Sequence, residues 1–559
     1  MTEKLPLPGK DGLVFLPLGG CGQFGANLSL YGYDDSWIAI DLGMGFADER
    51  LPGVEIILPD PQLIADQKDK LKGLFVTHAH EDHIGGIAWL WPKLKCPIYA
   101  TPFTAALLER KFEEHAFPGG GPKIIIAKPG HPIVLGDWKV NYLPVAHSIP
   151  EGNALVIETP AGRIVHTGDW CLDPDPVLGR KTDRAMFTAE GDKGVLACLG
   201  DSTNAEVRDT ARTESEVENG IKDVIKAAPR KLAITIFASN IGRLVSIYNA
   251  AHACGRKVAL VGRSLRTMVE CARETGYIPD HMRFLSDEDA QDVADDKLVL
   301  IVTGSQGEGR AALSRIAKGT HPTVKMKPGD TVVFSSRAIP GNEVAINDIK
   351  NALLADGVRV ITDRDAPIHV SGHPVREDLS QMLDWVRPRI LVPVHGERTQ
   401  MEAHAALGRE KQIPFVHVPS NGEWIRLNER GATVERVFTT HFQAIDMDRV
   451  VPTDHLPILE RRKVSFNGAV FISLAADQAT GEVLSIKVTG VGLLDPHDED
   501  DMRMVQQLED ELADHFESLP KKQRIADGAA VEPLRTMARR FFREQFDLKP
   551  LCIAHIALV

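Results

Sequence analysis

The chain has 559 residues, too many for one compact core at ~100–200 residues per domain, so about three folding units are expected. Charged residues make up 25 % and hydrophobic residues 43 %, a balance that excludes a mostly disordered chain. Lys and Arg total 64 against 77 Asp and Glu, and the net charge of −13 excludes a protein that coats nucleic acid through a generally basic surface, though not one with a local basic channel. No apolar run approaches the ~20 residues of a membrane span. The start, Met1-Thr-Glu-Lys-Leu-Pro-Leu-Pro, lacks the basic-then-apolar order of a signal peptide. The 7 cysteines are scattered and never spaced Cys-x-x-Cys. A reducing cytoplasm with no membrane attachment is the expected location.

In chain order, the first part reads as short strands rich in β-formers: Leu13–Leu18, Trp37–Asp41, Gly73–Thr77, Lys139–Leu143, Ala154–Glu158 and Arg163–His166. From about Glu214 the rhythm changes to strand, helix, strand. Lys231–Ala238, Lys257–Val261, Lys297–Thr303, Asp330–Ser335 and Val358–Thr362 read as strands, with helices over Ile241–Cys254 and Ser264–Gly276. That alternation predicts a parallel sheet with helices on its faces. Strands that end in histidine then return at Ile368–His373 and Arg389–His395, so 214–366 reads as an insertion into a host that resumes at 367–449. After Arg449, a hairpin over Ala469–Ala475 and Val483–Val488, helices near Val505–Leu519 and Pro533–Phe546, and a strand Leu551–Val559 form a tail, 450–559. Its His455, His497, His515 and His555 show no ligand spacing.

The strongest feature is Thr77-His78-Ala79-His80-Glu81-Asp82-His83-Ile84-Gly85-Gly86, placed between a buried strand and an apolar helix. Four donors within six positions cannot sit unpaired in a core. Imidazole with carboxylate and no thiolate suits Zn²⁺ or Mn²⁺. Further donors stand at strand ends: Asp41, His147, Asp169 and His395. Two ions about 3.5–4 Å apart can activate a water and stabilise an in-line displacement at phosphorus. The expected chemistry is therefore hydrolytic.

His78-x-His80-x-Asp82-His83 resembles the HxHxDH motif of the metallo-β-lactamase superfamily, and Asp41, His147, Asp169 and His395 resemble its companion motifs. The resemblance implies an α/β fold, a four-layer αββα sandwich with metals at one edge. His78, His80 and His147 would hold one ion, Asp82, His83 and His395 a second, with Asp169 between them and Asp41 orienting from behind. By the same likeness 1–213 and 367–449 form the metallo-β-lactamase domain. Leu199–Asn204, His369–His373 and Pro393–Glu397 resemble motifs A, B and C of the β-CASP group, which makes 214–366 the inserted β-CASP domain and 450–559 a small α+β C-terminal domain suited to oligomerisation. Within that group Leu18–Asn27, Asp201–Glu206, Phe237–Asn240, Ser336–Glu343 and His369–His373 resemble the ribonuclease J family over nearly the whole chain. Trp170 and Gly152-Asn153 depart from it. The family implies two divalent ions per subunit (Zn²⁺ first, Mn²⁺ or Mg²⁺ as alternatives) and a homodimer or homotetramer. It also implies RNA-decay partner proteins and a single-stranded RNA substrate with a 5′-monophosphate end.

The residues agree with that reading. Small-residue strand ends before helices offer N–H groups to phosphate. Ser239, Asn240 and Arg243, then Gly304 and Ser305, then Ser335, Ser336 and Arg337 have that form. Alternation along His369, Val370, Ser371, Gly372 and His373 would put His369, Ser371 and His373 on one face if the segment is extended. Arg243, Arg263, Arg266, Arg310 and Arg337 are expected near the channel entrance. His373 is the candidate proton donor for the leaving 3′-oxygen, with motif A Asp201 and Asp41 counted among the catalytic residues. Expected activities are 5′→3′ exonuclease action and endonucleolytic cleavage by the same site. The rivals are a β-CASP nuclease acting on DNA, a small-molecule hydrolase without need of the insertion, and a non-catalytic RNA-binding subunit.

Overall fold

A computed structural model describes residues 4–208, 212–339 and 341–559. Pro340 of the Ser336–Glu343 motif lies outside them, as do residues 1–3 and 209–211. The chain forms two compact units, Met1–Gly45 with Leu58–His441 and Phe46–Ile57 with Phe442–Val559.

In the first unit the short β-rich segments build two stacked sheets. One runs, edge to edge, Gly431–Val437, Glu423–Asn428, Leu13–Gly19, Leu28–Tyr33, Ser36–Ile40, Leu71–Phe75, Ile98–Ala100 and Ile124–Ile126. The other runs Phe415–Val416, Ile390–Val394, Ala197–Asp201, Gly162–His166, Asn153–Thr159, Trp138–Pro144 and Ile133–Leu135. Phe15, Tyr31 and Phe75 from one sheet meet Tyr142, Ile157 and Ile164 from the other in the interior between them. Helices Arg184–Asp192, Arg376–Val386 and Arg398–Glu410 bury Phe187, Leu383 and Leu407 against the outer face of the second sheet. Helices Ile87–Leu94 and Pro102–Glu113 are crossovers between parallel strands of the first. This is the expected αββα sandwich.

The insertion leaves and re-enters between hydrogen-bonded neighbours. Ala197–Asp201 and Ile390–Val394 are adjacent parallel strands with Asp201 opposite Val394, so the intervening residues close on themselves beside the sandwich. They carry an all-parallel sheet ordered Lys257–Val261, Leu298–Val302, Leu232–Thr235, Thr331–Phe334 and Arg359–Ile361. Its leading helix, Glu214–Ala227, starts at a capping box between Thr213 and Glu216.

Two sequence expectations need correction. Ile368–His373 is no strand. It is held by side chains instead: Ile368 O accepts from Arg243 and Ser335, and His373 N–H donates to Ser371 Oγ. The second unit begins at Phe442, not at 450, and includes residues 46–57. A boundary at 449/450 would cut a hairpin, because Phe442–Asp446 pairs with Arg449–Pro452 across Met447-Asp448, and Val54 packs with Ala444, Val451 and Ile458. That unit also holds the predicted tail hairpin, Ala469–Ala476 with Val483–Val491, and Leu551–Leu558 parallel to its first strand. Leu508, Leu512, Phe516, Phe541 and Phe542 of its helices form the core. Among the described residues no helix is long and apolar enough to cross a membrane, and all seven cysteines are free thiols.

Candidate metal centre

Strand ends supply the site, and several turn on a left-handed residue. Asp41 (φ +59°) follows Ser36–Ile40, Gly168 (φ +55°) follows Gly162–His166 and precedes Asp169, and His395 (φ +53°) follows Ile390–Val394. Each break takes the backbone out of its sheet and aims the next side chains at one edge. The histidine motif lies on the loop after Leu71–Phe75 and on helix Glu81–Ile84. The Asp41-Leu-Gly43 turn lies flush against it: a Cβ on Gly43 would sit 1.6 Å from the Asp82 carbonyl oxygen, so only glycine fits.

The seven predicted ligands converge in two overlapping groups, His78/His80/His147/Asp169 and Asp82/His83/Asp169/His395. His80 Nδ1 lies 3.1 Å from His78 Nε2 and 2.9 Å from His147 Nε2. A tetrahedral ion with ~2.05 Å bonds to nitrogen has ligand edges of roughly 3.3 Å, so these three nitrogens fit the corners around one ion. Asp169 Oδ2 stands between the groups, 3.7 Å from His78 Nε2, 4.0 Å from His147 Nε2, 3.2 Å from His83 Nε2 and 3.3 Å from His395 Nε2. Asp82 Oδ2 is 3.4 Å from His83 Nε2 and 3.8 Å from His395 Nε2.

In His83, His78, His147 and His395 the other ring nitrogen is anchored, which fixes orientation and tautomer. His83 Nδ1 meets Asp41 Oδ2 at 2.7 Å, and Asp41 also accepts from Thr77 N–H and Thr77 Oγ1. His78 Nδ1 meets Thr77 Oγ1, His147 Nδ1 donates to Gly372 O at 2.7 Å, and His395 Nδ1 donates to Asn27 Oδ1 at 3.1 Å. Asn27 Nδ2 in turn donates to Asp82 O and Oδ2. Burial keeps His78 and His147 well below the usual imidazole range, helped by their neighbouring imidazoles, and lowers His80 to about 4. Neutral imidazole is the ligand form, and these three rings hold it, whereas His83, against its burial, is raised well above the imidazole range by Asp169, Asp82 and Asp41. Asp169 is ionised: despite burial, His395 and His83 hold it well below the carboxylate range. This donor set fits a divalent ion.

His373 is fastened by Nδ1 to Asp201 Oδ2 at 2.8 Å, and Asp201 is itself held by Thr203 and Thr167. Burial works against protonation of this ring, but Asp201, Asp169 and Asp82 raise it to about 9. Its Nδ1 is 3.9 Å from Asp169 Oδ2.

The predicted phosphate contacts divide among three places. Asn240, Val370, Ser371 and Gly372 line a cavity with Arg212 beside His147. Ser371 Oγ accepts from Asn204 Nδ2. Gly304 and Ser305 form a second place with Arg337, joined through Gln306, which donates to Arg337 O. Ser239 is half-buried before the helix that Asn240 caps, and Ser336 is buried after Thr331–Phe334. Arg243 and Ser335 correct the expectation of direct contact. Arg243 is 0 % exposed, its Nε and Nη2 paired with the two carboxylate oxygens of Glu214 and its Nη1 bonded to Ser335 Oγ and Ile368 O. Its donors are consumed inside the protein. Burial and the nearby Arg243 and Arg337 push His369 to about 3, and its Nδ1 is buried without a hydrogen-bond partner. Arg263, Arg266, Arg310 and Arg337 are exposed.

Sequence reasoning assigned no role to Asn27, Thr77 or Asn204. For Asn27 the available signal was the glycine-rich run Leu18–Ala26 that ends at it.

A sandwich of this kind, with a parallel-sheet insertion beside an ion-binding edge, makes the chain a metallo-β-lactamase-type hydrolase with a β-CASP insertion. Family models agree over most of its length: the metallo-beta-lactamase superfamily over residues 21–215, the ribonuclease J beta-CASP domain over 229–353, the Zn-dependent metallo-hydrolase RNA specificity domain over 357–419 and the ribonuclease J C-terminal domain over 456–559. Ribonuclease J of Sinorhizobium meliloti is 42 % identical over 98 % of this chain and 97 % of its own. Ribonuclease J of Mycolicibacterium smegmatis is 39 % identical over 78 % and 77 %, and ribonuclease J 1 of Streptococcus pyogenes 35 % over 84 % of each. The crystal structure of a protein of unknown function from Enterococcus faecalis V583 shares the fold, with a TM-score of 0.54 at 18 % identity over 74 % of this chain and all of that one. The chain belongs to the ribonuclease J family of metal-dependent ribonucleases.

Proposed function

We propose that this ribonuclease degrades RNA from a 5′-monophosphate end in the 5′→3′ direction and also cuts internally with the same site. His78, His80 and His147 hold one divalent ion, Asp82, His83 and His395 a second, and Asp169 lies between both. Zn²⁺ suits these donors, with Mn²⁺ or Mg²⁺ as alternatives. Bound there, the ions supply an activated water and neutralise charge on the scissile phosphate. The chain's own groups do the rest. Asp41, Thr77, Asn27 and the Gly372 carbonyl hold the ligands in place, and Asp201 holds His373 by Nδ1, leaving Nε2 as the atom that can pass a proton to the leaving 3′-oxygen. The cavity lined by Arg212, Asn240 and Ser371 next to His147 is the place for a 5′-phosphate.

The observation that carries this reading is the position of Asp169 Oδ2 within 4.0 Å of His78, His83, His147 and His395, four imidazoles drawn from three separate stretches of chain. The insertion argues against a small-molecule hydrolase, and the RNA-specificity match argues against DNA. The C-terminal domain is proposed as the dimer or tetramer contact, with RNA-decay proteins as partners in the cytoplasm. To test the substrate, 3′-labelled RNAs with 5′-monophosphate, 5′-triphosphate or 5′-hydroxyl ends are given to the enzyme beside matched DNA. Stepwise mononucleotide release confined to monophosphorylated RNA is expected. Cleavage of DNA alone overturns the reading.

A further inference from the structure

The loop from His147 to Asn153 links two hairpin strands and carries one ligand, yet its strongest tie lies elsewhere. The loop closes tightly: Val145 N–H donates to Gly152 O, and a Cβ on Gly152 would lie 3.1 Å from His147 Cβ. Glu151 sits between them at φ +61°, a conformation that costs a non-glycine residue about 1 kcal/mol. It belongs to neither ligand group. Its carboxylate accepts two hydrogen bonds from outside the loop. Oε2 takes Phe103 N–H at 2.8 Å, in the first turn of helix Pro102–Glu113. Oε1 takes the Tyr277 hydroxyl at 3.1 Å, just past helix Arg263–Glu274 of the insertion. The Phe103 and Tyr277 rings meet edge to face at 6.1 Å. Helix Pro102–Glu113 reaches the insertion again through Arg110 and Glu274 (2.6 Å), and the histidine motif through Lys111 and Glu81 (2.6 Å).

From this we infer that Glu151 is a positioning residue that couples the seating of the inserted domain to the loop behind His147. A carboxylate held at two points, on a backbone already in the left-handed region, cannot follow a displacement of Tyr277 unless residues 151–152 move, and these abut His147. The device serves RNA, which must lie under the insertion. A small phosphodiester reaches the ions without it. The inference rests on the RNA-cleaving reading above.

The test compares the full-length metal-loaded protein with its Tyr277→Phe, Glu151→Ala and Glu151→Gln variants. The first removes one hydroxyl and keeps the ring. The last keeps an acceptor for Phe103 and a partner for Tyr277. Each variant is assayed on 5′-monophosphorylated RNA and on bis(p-nitrophenyl) phosphate, and exchange of backbone amides over 148–153 is followed by mass spectrometry. For Tyr277→Phe and Glu151→Ala, kcat on RNA should fall about tenfold, hydrolysis of the small diester should stay within about twofold, and amides 148–153 should exchange faster, with Glu151→Gln near wild type. Equal loss on both substrates, or unchanged RNA turnover, overturns the coupling. If the wild-type protein cleaves the small diester but no RNA, the substrate reading fails. The exchange data then judge the coupling alone, and unaltered exchange in Tyr277→Phe refutes it.

Discussion

Arg243→Met tests whether the insertion is organised around one buried charge. The wild-type guanidinium gives Nε and Nη2 to Glu214 at 2.5 and 2.9 Å, and Nη1 to Ser335 Oγ at 2.6 Å and Ile368 O at 3.1 Å. It thereby joins the first helix of the insertion, the end of strand Thr331–Phe334 and the segment leading to His373. Methionine fills the space but leaves the Glu214 carboxylate without its cation and Ile368 O with only Ser335 Oγ. Breaking a buried pair from one side costs about 3–5 kcal/mol. At about 1.4 kcal/mol per decade, local opening should become at least ~100-fold more frequent. Amide exchange within 214–227, 241–253 and 366–373 reads this directly, whereas tryptophan emission does not, since no Trp lies between 171 and 384. The apolar double variant Glu214→Leu/Arg243→Met should regain most of the loss, because replacing a whole buried pair is close to neutral. A single variant within ~1 kcal/mol of wild type, or a double variant no better than the single, refutes the argument.

The remaining tests are smaller. His373→Ala should lower turnover on RNA by about 10²-fold or more with metal content unchanged by mass spectrometry, and parallel loss of metal would make His373 a ligand. Asn27→Ala frees His395 Nδ1 and the Asp82 backbone, so the affinity for the ion, measured by chelator competition, should drop about 10–100-fold. Asp378, at the third position of helix Arg376–Val386, is raised to about 6 by burial, against the bonds from Val375 and Leu172. A carboxyl raised on folding favours the protonated native state, so its contribution is full below about pH 4 and is lost as pH rises through 6. Asp378→Asn should therefore be more stable than wild type at pH 8 by about 1 kcal/mol in urea titrations, with the gap narrowing at pH 5.

The converging His and Asp residues were legible because they stand in short polar clusters at the ends of apolar strands, where no core reading accounts for them. Their supports were not. Asn27 meets His395 across 368 positions and Asn204 meets Ser371 across 167, and no local pattern marks such a pair. Arg243 shows the opposite failure. A small-residue strand end followed by a helix with an arginine has the form of a phosphate loop, and only burial reveals that Glu214 already occupies the guanidinium. Ile368–His373 has β-type residues but no neighbouring strand, so propensity gave way to side-chain bonds with Arg243, Ser335 and Asn204. The boundary at 450 failed on a two-residue turn, Met447-Asp448, whose hairpin partners lie on either side of it.

The topology explains why His373 and the His/Asp cluster stay in register although a whole domain intervenes. Asp201 ends the strand where the insertion departs, and His395 follows the strand where it has returned. Opposed neighbours in a parallel ladder are fixed about 4.8 Å apart, here Asp201 and Val394. The insertion is thus pinned at both ends beside the site, and the bridge between Asn204 and Val375 narrows its base further. His373 lies inside that base, clamped to Asp201 by one ring nitrogen.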